Sequence, residues 1–114
     1  MIDDWRGQID GVDREILRLL NLRAELVRRI GREKRARGLP LRSPMREEEV
    51  LQRVKAQNPG PLSATAVERI FRLIIAESRG LQLELELELE LEEVGKNDRG
   101  DEAQGDPGAD RGGE

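Results

Sequence analysis

The chain has 114 residues and a formal charge of −4, with no cysteine, no histidine, one Trp, one Phe and no Tyr. The missing residue types exclude disulfides, thiol nucleophiles, Cys/His zinc sites and histidine acid–base chemistry. The charge is split: residues 1–82 carry 17 Lys and Arg against 12 Asp and Glu, while residues 83–114 carry 3 against 12. A basic, helix-rich domain is therefore followed by an acidic extension. About 80 residues with few aromatics gives a small aliphatic core, the kind often completed by oligomerisation. The N-terminus has two early acids and no apolar stretch of signal-peptide type, and no segment approaches a membrane span. A reducing, cytoplasmic setting fits this composition.

The first element is a helix predicted from near Asp3 or Asp4, whose carboxylates suit a helix N-terminus, to about Arg37. Gly38 and Pro40 stop it. Along it, Ile2, Trp5, Ile9, Val12, Ile16, Leu19, Leu26 and Ile30 form a seam of seven-residue period. Such a seam is built to be buried against other helices. A helix about 50 Å long at 1.5 Å per residue is too long for a monomer of this size. Its excess length needs a partner.

Arg23 interrupts the seam where an aliphatic residue belongs. A buried guanidinium costs several kcal/mol unless paired, so something anionic is expected to meet it, either an intramolecular carboxylate or a ligand. Lys34, eleven residues on, points to nearly the same side about 16 Å along the axis. Arg6 lies about 25 Å from Arg23 and roughly 100° around the helix, out of reach of that site in the same chain. In an antiparallel dimer the end of one long helix would lie beside the middle of the other.

The second helix starts at Ser43, an N-cap, with Pro44 in the first helical position. It carries Arg46 and Glu47 near its N-terminus, where the helix dipole favours an anion. Gln57-Asn58-Pro59-Gly60-Pro61 ends it. Ser63 can cap a third helix with Val67, Ile70, Phe71, Ile74 and Ile75 on its apolar face. Ser78 and Gln82 continue that face one turn apart and bring two neutral hydrogen-bonding groups toward the basic patch. From Leu83 to residue 94 the chain alternates Leu and Glu. Period-2 alternation suggests a strand, but both residues are strong helix formers, so the third helix is expected to run on into this tract and fray. Residues 95–114 are expected to form a disordered acidic tail. The organisation read here is an all-α domain over 1–82, a low-complexity extension over 83–94 and the tail.

The pocket so outlined has several cations, one carboxylate and two neutral donors, and lacks a nucleophile with an activating base. That combination suits binding a small dianion and stabilising charge shift, not covalent catalysis. The ordered set of Arg6 and Arg23 in "WRGQIDGVDREILRLLNLR", Lys34 in "IGREK", Arg46-Glu47 in "SPMREEEVL", and Ser78 and Gln82 in "IFRLIIAESRGLQ" resembles the all-helical chorismate mutase family over about residues 4–82. The resemblance implies a three-helix fold in an interlocked homodimer and the rearrangement of chorismate to prephenate, without cofactor, metal or covalent intermediate.

Residue by residue, the resemblance implies that Arg23 and the partner subunit's Arg6 bind the substrate carboxylates. Lys34 and Gln82 would donate to the ether oxygen. Arg46 would help to bind carboxylate and orient Glu47, Glu47 would accept from the substrate hydroxyl, and Ser78 would contact a carboxylate. Ser43 occupies a position where the family usually has Asp, so the cap is retained but a charge near the substrate hydroxyl is lost. An isochorismate-pyruvate lyase of the same fold shares most of these residues. A different class of function, a basic helical module binding nucleic acid or a protein, is opposed by the acids interleaved along the first helix and by the lack of a stacking platform. No membrane partner is implied, and association with another shikimate-pathway enzyme stays open.

Overall fold

The first helix, α1, spans Ile2–Ala36 and has its two acids, Asp3 and Asp4, in the first turn. It begins one or two residues before the expected start. Met1 stands at the N-cap without a side-chain hydrogen bond, and the acids act on the exposed N–H groups through charge alone. The C-terminus closes in a Schellman motif, with glycine at the left-handed position. Gly38 takes φ +71°, its N–H donates to Arg35 O at 3.1 Å, and Leu39 N–H donates to Lys34 O at 2.8 Å.

The remaining helices are α2, Pro44–Gln57, and α3, Ala64–Gln104. The computed structural model describes the backbone of residues 1–104 and the side chains of residues 1–95. Ser43 caps α2 by accepting from Arg46 N at 3.2 Å. Ser63 caps α3 by accepting from Ala66 N at 3.0 Å. Between them Asn58 bridges the break: its carboxamide accepts from Gly60 N and donates to Leu62 O.

The chain divides into two units, Met1–Gln82 and Leu83–Glu114. In the first, the core joins α2 to α3: Val50, Leu51 and Ile75 are buried, and Val54 and Phe71 pack against them. Lys55 on α2 and Glu68 on α3 add an ion pair at 3.0 Å. The α1 seam lies uncovered in the single chain. Trp5, Ile9, Val12 and Ile16 are each about half exposed, whereas Gly31 is the buried residue of this helix.

In the second unit the Leu-Glu tract is helical, because residue propensity outweighs the alternating pattern. Extending a helix already formed also avoids a new nucleation cost. The same effect carries α3 to Gln104, so the backbone of residues 95–104 is helical where the sequence pointed to disorder. The rest of the expected tail, 105–114, lies outside the described residues. Among the described residues no helix is long and apolar enough to cross a membrane.

Candidate active site

Arg23 lines a cavity of about 290 Å³ bounded by all three helices and the α1–α2 loop. Leu26, Val27 and Ile30 of α1, Val50 of α2 and Ile75 of α3 form its apolar wall. Arg23, Lys34, Arg46 and Arg79 supply cations, and Glu47 supplies a carboxylate. Cations therefore outnumber carboxylates four to one in the lining, inside a volume at the small end of ligand pockets.

The half-buried Arg23 guanidinium donates from Nη1 to Ser78 Oγ at 2.6 Å. The Ser78 hydroxyl donates its proton to Ile74 O at 3.0 Å, which leaves its lone pairs for the arginine. No carboxylate among the described residues pairs with Arg23, so the intramolecular salt bridge is not formed. Desolvation, and next the like charge of Arg46, push the Arg23 pKa below its ordinary value. Both causes disfavour the cation, and an anion in the cavity would offset them by stabilising the charge.

Lys34, near the end of α1, donates from Nζ to Leu41 O at 3.2 Å. Gln82 on α3 donates from Nε2 to the same oxygen at 3.1 Å. The loop that follows the Gly38 turn thus aligns two donors from different helices. Each has protons left over: the ammonium has three and the carboxamide two.

Glu47 sits in the first turn of α2 and is held from α3 by a two-point contact. Arg79 Nη2 donates to Oε1 at 2.6 Å and Arg79 Nε donates to Oε2 at 3.1 Å. Arg42 Nη2 adds a longer bond to Oε1 at 3.4 Å. These arginines, Arg79 foremost, hold the Glu47 carboxyl below the usual carboxylate range against the opposing effect of burial. Arg46 does not orient Glu47 here. Its Nη1 meets Glu49 Oε1 at 2.9 Å, because the i,i+3 neighbour on its own helix is within easier reach. Ser43 lines the cavity while serving as the α2 cap.

Arg6 stands apart. It is exposed on the first turns of α1, pairs with Asp3 at 3.9 Å, and is absent from the cavity lining. The fold therefore brings together Arg23, Lys34, Ser43, Arg46, Glu47, Ser78 and Gln82, and leaves Arg6 outside within one chain. Sequence reasoning missed Arg79, Arg42 and the Leu41 carbonyl. Arg79 could have been found from its place beside Ser78, since residues 78, 79 and 82 fall within an arc of about 100° on a helix. Nothing local signals the backbone oxygen of Leu41.

Three packed helices around a small cation-rich cavity, with no base to activate the Ser78 hydroxyl, define an all-α domain suited to holding a compact anion and acting on it electrostatically. The chain belongs to the chorismate mutase type II family, which it matches over residues 5–83. It is 39% identical over 79 residues to the T-protein of Haemophilus influenzae, an alignment covering 68% of this chain and 21% of that protein. It is 38% identical over 85 residues to the bifunctional chorismate mutase/prephenate dehydratase of Aquifex aeolicus, covering 71% of this chain and 24% of that one. The chain thus spans about a fifth to a quarter of the length of these curated relatives. Among solved structures, a chorismate mutase (form II) from Thermus thermophilus superposes with a TM-score of 0.69 at 43% identity, over 71% of this chain and 92% of that one.

Proposed function

We propose that this domain catalyses the rearrangement of chorismate to prephenate. The carrying observation is the convergence of Arg23, Lys34, Gln82 and Glu47 on one small cavity with an unmatched positive charge. Chorismate is a compact dicarboxylate with a hydroxyl and an ether oxygen. In the reaction its ether C–O bond breaks as a new C–C bond forms, and negative charge gathers on the departing oxygen. Arg23, supported by Ser78, takes one carboxylate. Lys34 and Gln82 donate to the ether oxygen with the protons not given to Leu41. Glu47 accepts from the hydroxyl. Donors fixed before the reaction stabilise developing charge without having to reorganise during it. Arg46 contributes positive charge, and no cofactor enters the scheme.

The active unit is a homodimer in which the partner subunit's Arg6 completes the site by binding the second carboxylate. The uncovered α1 seam and the position of Arg6 outside its own chain's cavity support this reading. The relatives whose names pair this activity with prephenate dehydratase support a role for the product in aromatic amino-acid synthesis. Loss of chorismate followed by ultraviolet absorbance with the purified dimer tests the assignment. Isochorismate is assayed in parallel. A rate no faster than the uncatalysed rearrangement would overturn it, and faster release of pyruvate from isochorismate would make the protein a lyase instead.

A further inference from the structure

Glu47 has more partners than an acceptor needs for stability alone, and their arrangement has a direction. A carboxylate offers about four lone-pair positions. Arg79 occupies one on each oxygen, at 2.6 Å and 3.1 Å, and Arg42 takes a second on Oε1 at 3.4 Å. One position, on Oε2, is left over. We propose that Arg79 is a positioning residue, fixing the Glu47 carboxylate so that this remaining lone pair serves the substrate hydroxyl. The proposal rests on the mutase reading of the cavity.

The geometry favours this role over two others. As a stability device the pair has little to offer: the Arg79 side chain is 46% exposed and the Glu47 side chain 18%, and ion pairs open to water contribute little to stability. As a direct ligand for substrate, Arg79 has Nη1 left over, but its Nε–Nη2 edge, the one that forms a fork, faces Glu47. What the fork does supply is orientation. A two-point contact fixes the plane of a carboxylate, where a single bond would leave it free to rotate. Arg46, one residue before Glu47, is turned toward Glu49 instead. Arg79 also keeps Glu47 ionised, as its lowered pKa reflects, and only the carboxylate form accepts without donating.

The test is a double-mutant cycle on the intact protein: wild type, Arg79→Ala, Glu47→Gln and the two together, each with kcat and KM measured across the acid range. Circular dichroism checks that each is folded, and Arg79→Lys serves if Arg79→Ala is not. Arg79→Ala is expected to lower kcat/KM about tenfold, within the range of coupling between contacting residues. It should also move the acid limb of the profile to higher pH, because Glu47 loses the partner that holds its pKa down. Arg79→Lys keeps the charge but loses the fork, so it should restore the acid limb more fully than the rate. In the Glu47→Gln background the loss from Arg79→Ala should largely vanish. An equal loss in both backgrounds would mean that Arg79 acts on substrate or fold directly, and the proposal would fall. An active wild type with an unaffected Arg79→Ala variant would also overturn it. An inactive wild type would instead remove the mutase reading itself, and the role of Arg79 with it.

Discussion

Lys34 and Gln82, 48 residues apart in sequence, donate to one and the same oxygen, the carbonyl of Leu41, at 3.2 Å and 3.1 Å. Two side chains from different helices are thereby brought to a common point before any substrate arrives. For a reaction whose charge develops on a single oxygen, this is the arrangement that avoids reorganisation.

Lys34→Ala is expected to lower kcat by about 10²–10³-fold, the usual loss of one preorganised donor. The α2–α3 core does not involve this residue, so the far-ultraviolet dichroism should match wild type. Steady-state rates and spectra on the same sample check both parts. Near-normal turnover would place the ether oxygen elsewhere.

Gln82→Glu should make activity acid-dependent. The carboxamide donates at any ordinary pH, but a carboxyl donates only when protonated. Ionised, it would also repel the charge growing on the ether oxygen. The variant should be weak at neutral pH and recover as pH falls, until Glu47 or the substrate begins to protonate. Glu47's pKa lies below the ordinary value, so its own carboxylate persists through the upper part of that recovery. A pH–rate profile superimposable on wild type would contradict the placement of Gln82.

Arg6→Ala and Arg23→Ala should each be nearly inactive alone, yet active when mixed. Arg6 lies outside its own chain's cavity, so a mixed dimer would hold one site with both arginines intact. Activity after subunit exchange, compared with exchanged wild-type chains, reads this directly. No recovery on mixing would rule out a contribution across the interface.

Ile16→Glu separates the single chain from the dimer. Ile16 is 47% exposed in the single chain, where a carboxylate would be harmless. If a second copy covers the seam, the same change buries a charge at a cost of several kcal/mol. Light scattering should show loss of the dimer, with turnover falling in parallel. An unchanged dimer would mean that the seam is covered by something else or by nothing.

Ser43→Ala should lower stability by roughly 1 kcal/mol through loss of the α2 cap. The bond at stake is the one from Arg46 N to Ser43 Oγ, at 3.2 Å. A thermal melt at fixed protein concentration measures it. Because the same turn carries Glu47, a rise in KM should accompany the lower melting temperature.

Helix boundaries and the face of each helix were legible because they depend on local chemistry. Ser43, Pro44, Ser63 and Gly38 act within one turn of where they stand, and their roles follow from spacing alone. The all-α fold, the pairing of Arg23 with Lys34 on α1 and that of Ser78 with Gln82 on α3 followed from helical periodicity in the same way, whereas their union in one site was implied by the family resemblance. What could not be read required two distant segments to meet. Glu47 finds Arg79, 32 residues away, and not Arg46, its neighbour, because a side chain's partner is settled by packing between helices. The alternating Leu-Glu tract carried a local conflict between pattern and propensity. Continuation of an existing helix resolved it, and reached farther than the composition of residues 95–104 suggested.

The Leu41 oxygen has one further property: it belongs to the main chain. No substitution can delete it, so a scan that replaces side chains one at a time would pass over the group that aligns Lys34 with Gln82. Control of its position moves to the residues that set the path of the connection, above all Gly38 at φ +71°. A Cβ there meets no neighbouring atom within 4 Å, so the cost of Gly38→Ala is purely conformational, about 1 kcal/mol. A glycine remote from the chemistry thereby becomes a mechanical determinant of how well two donors converge.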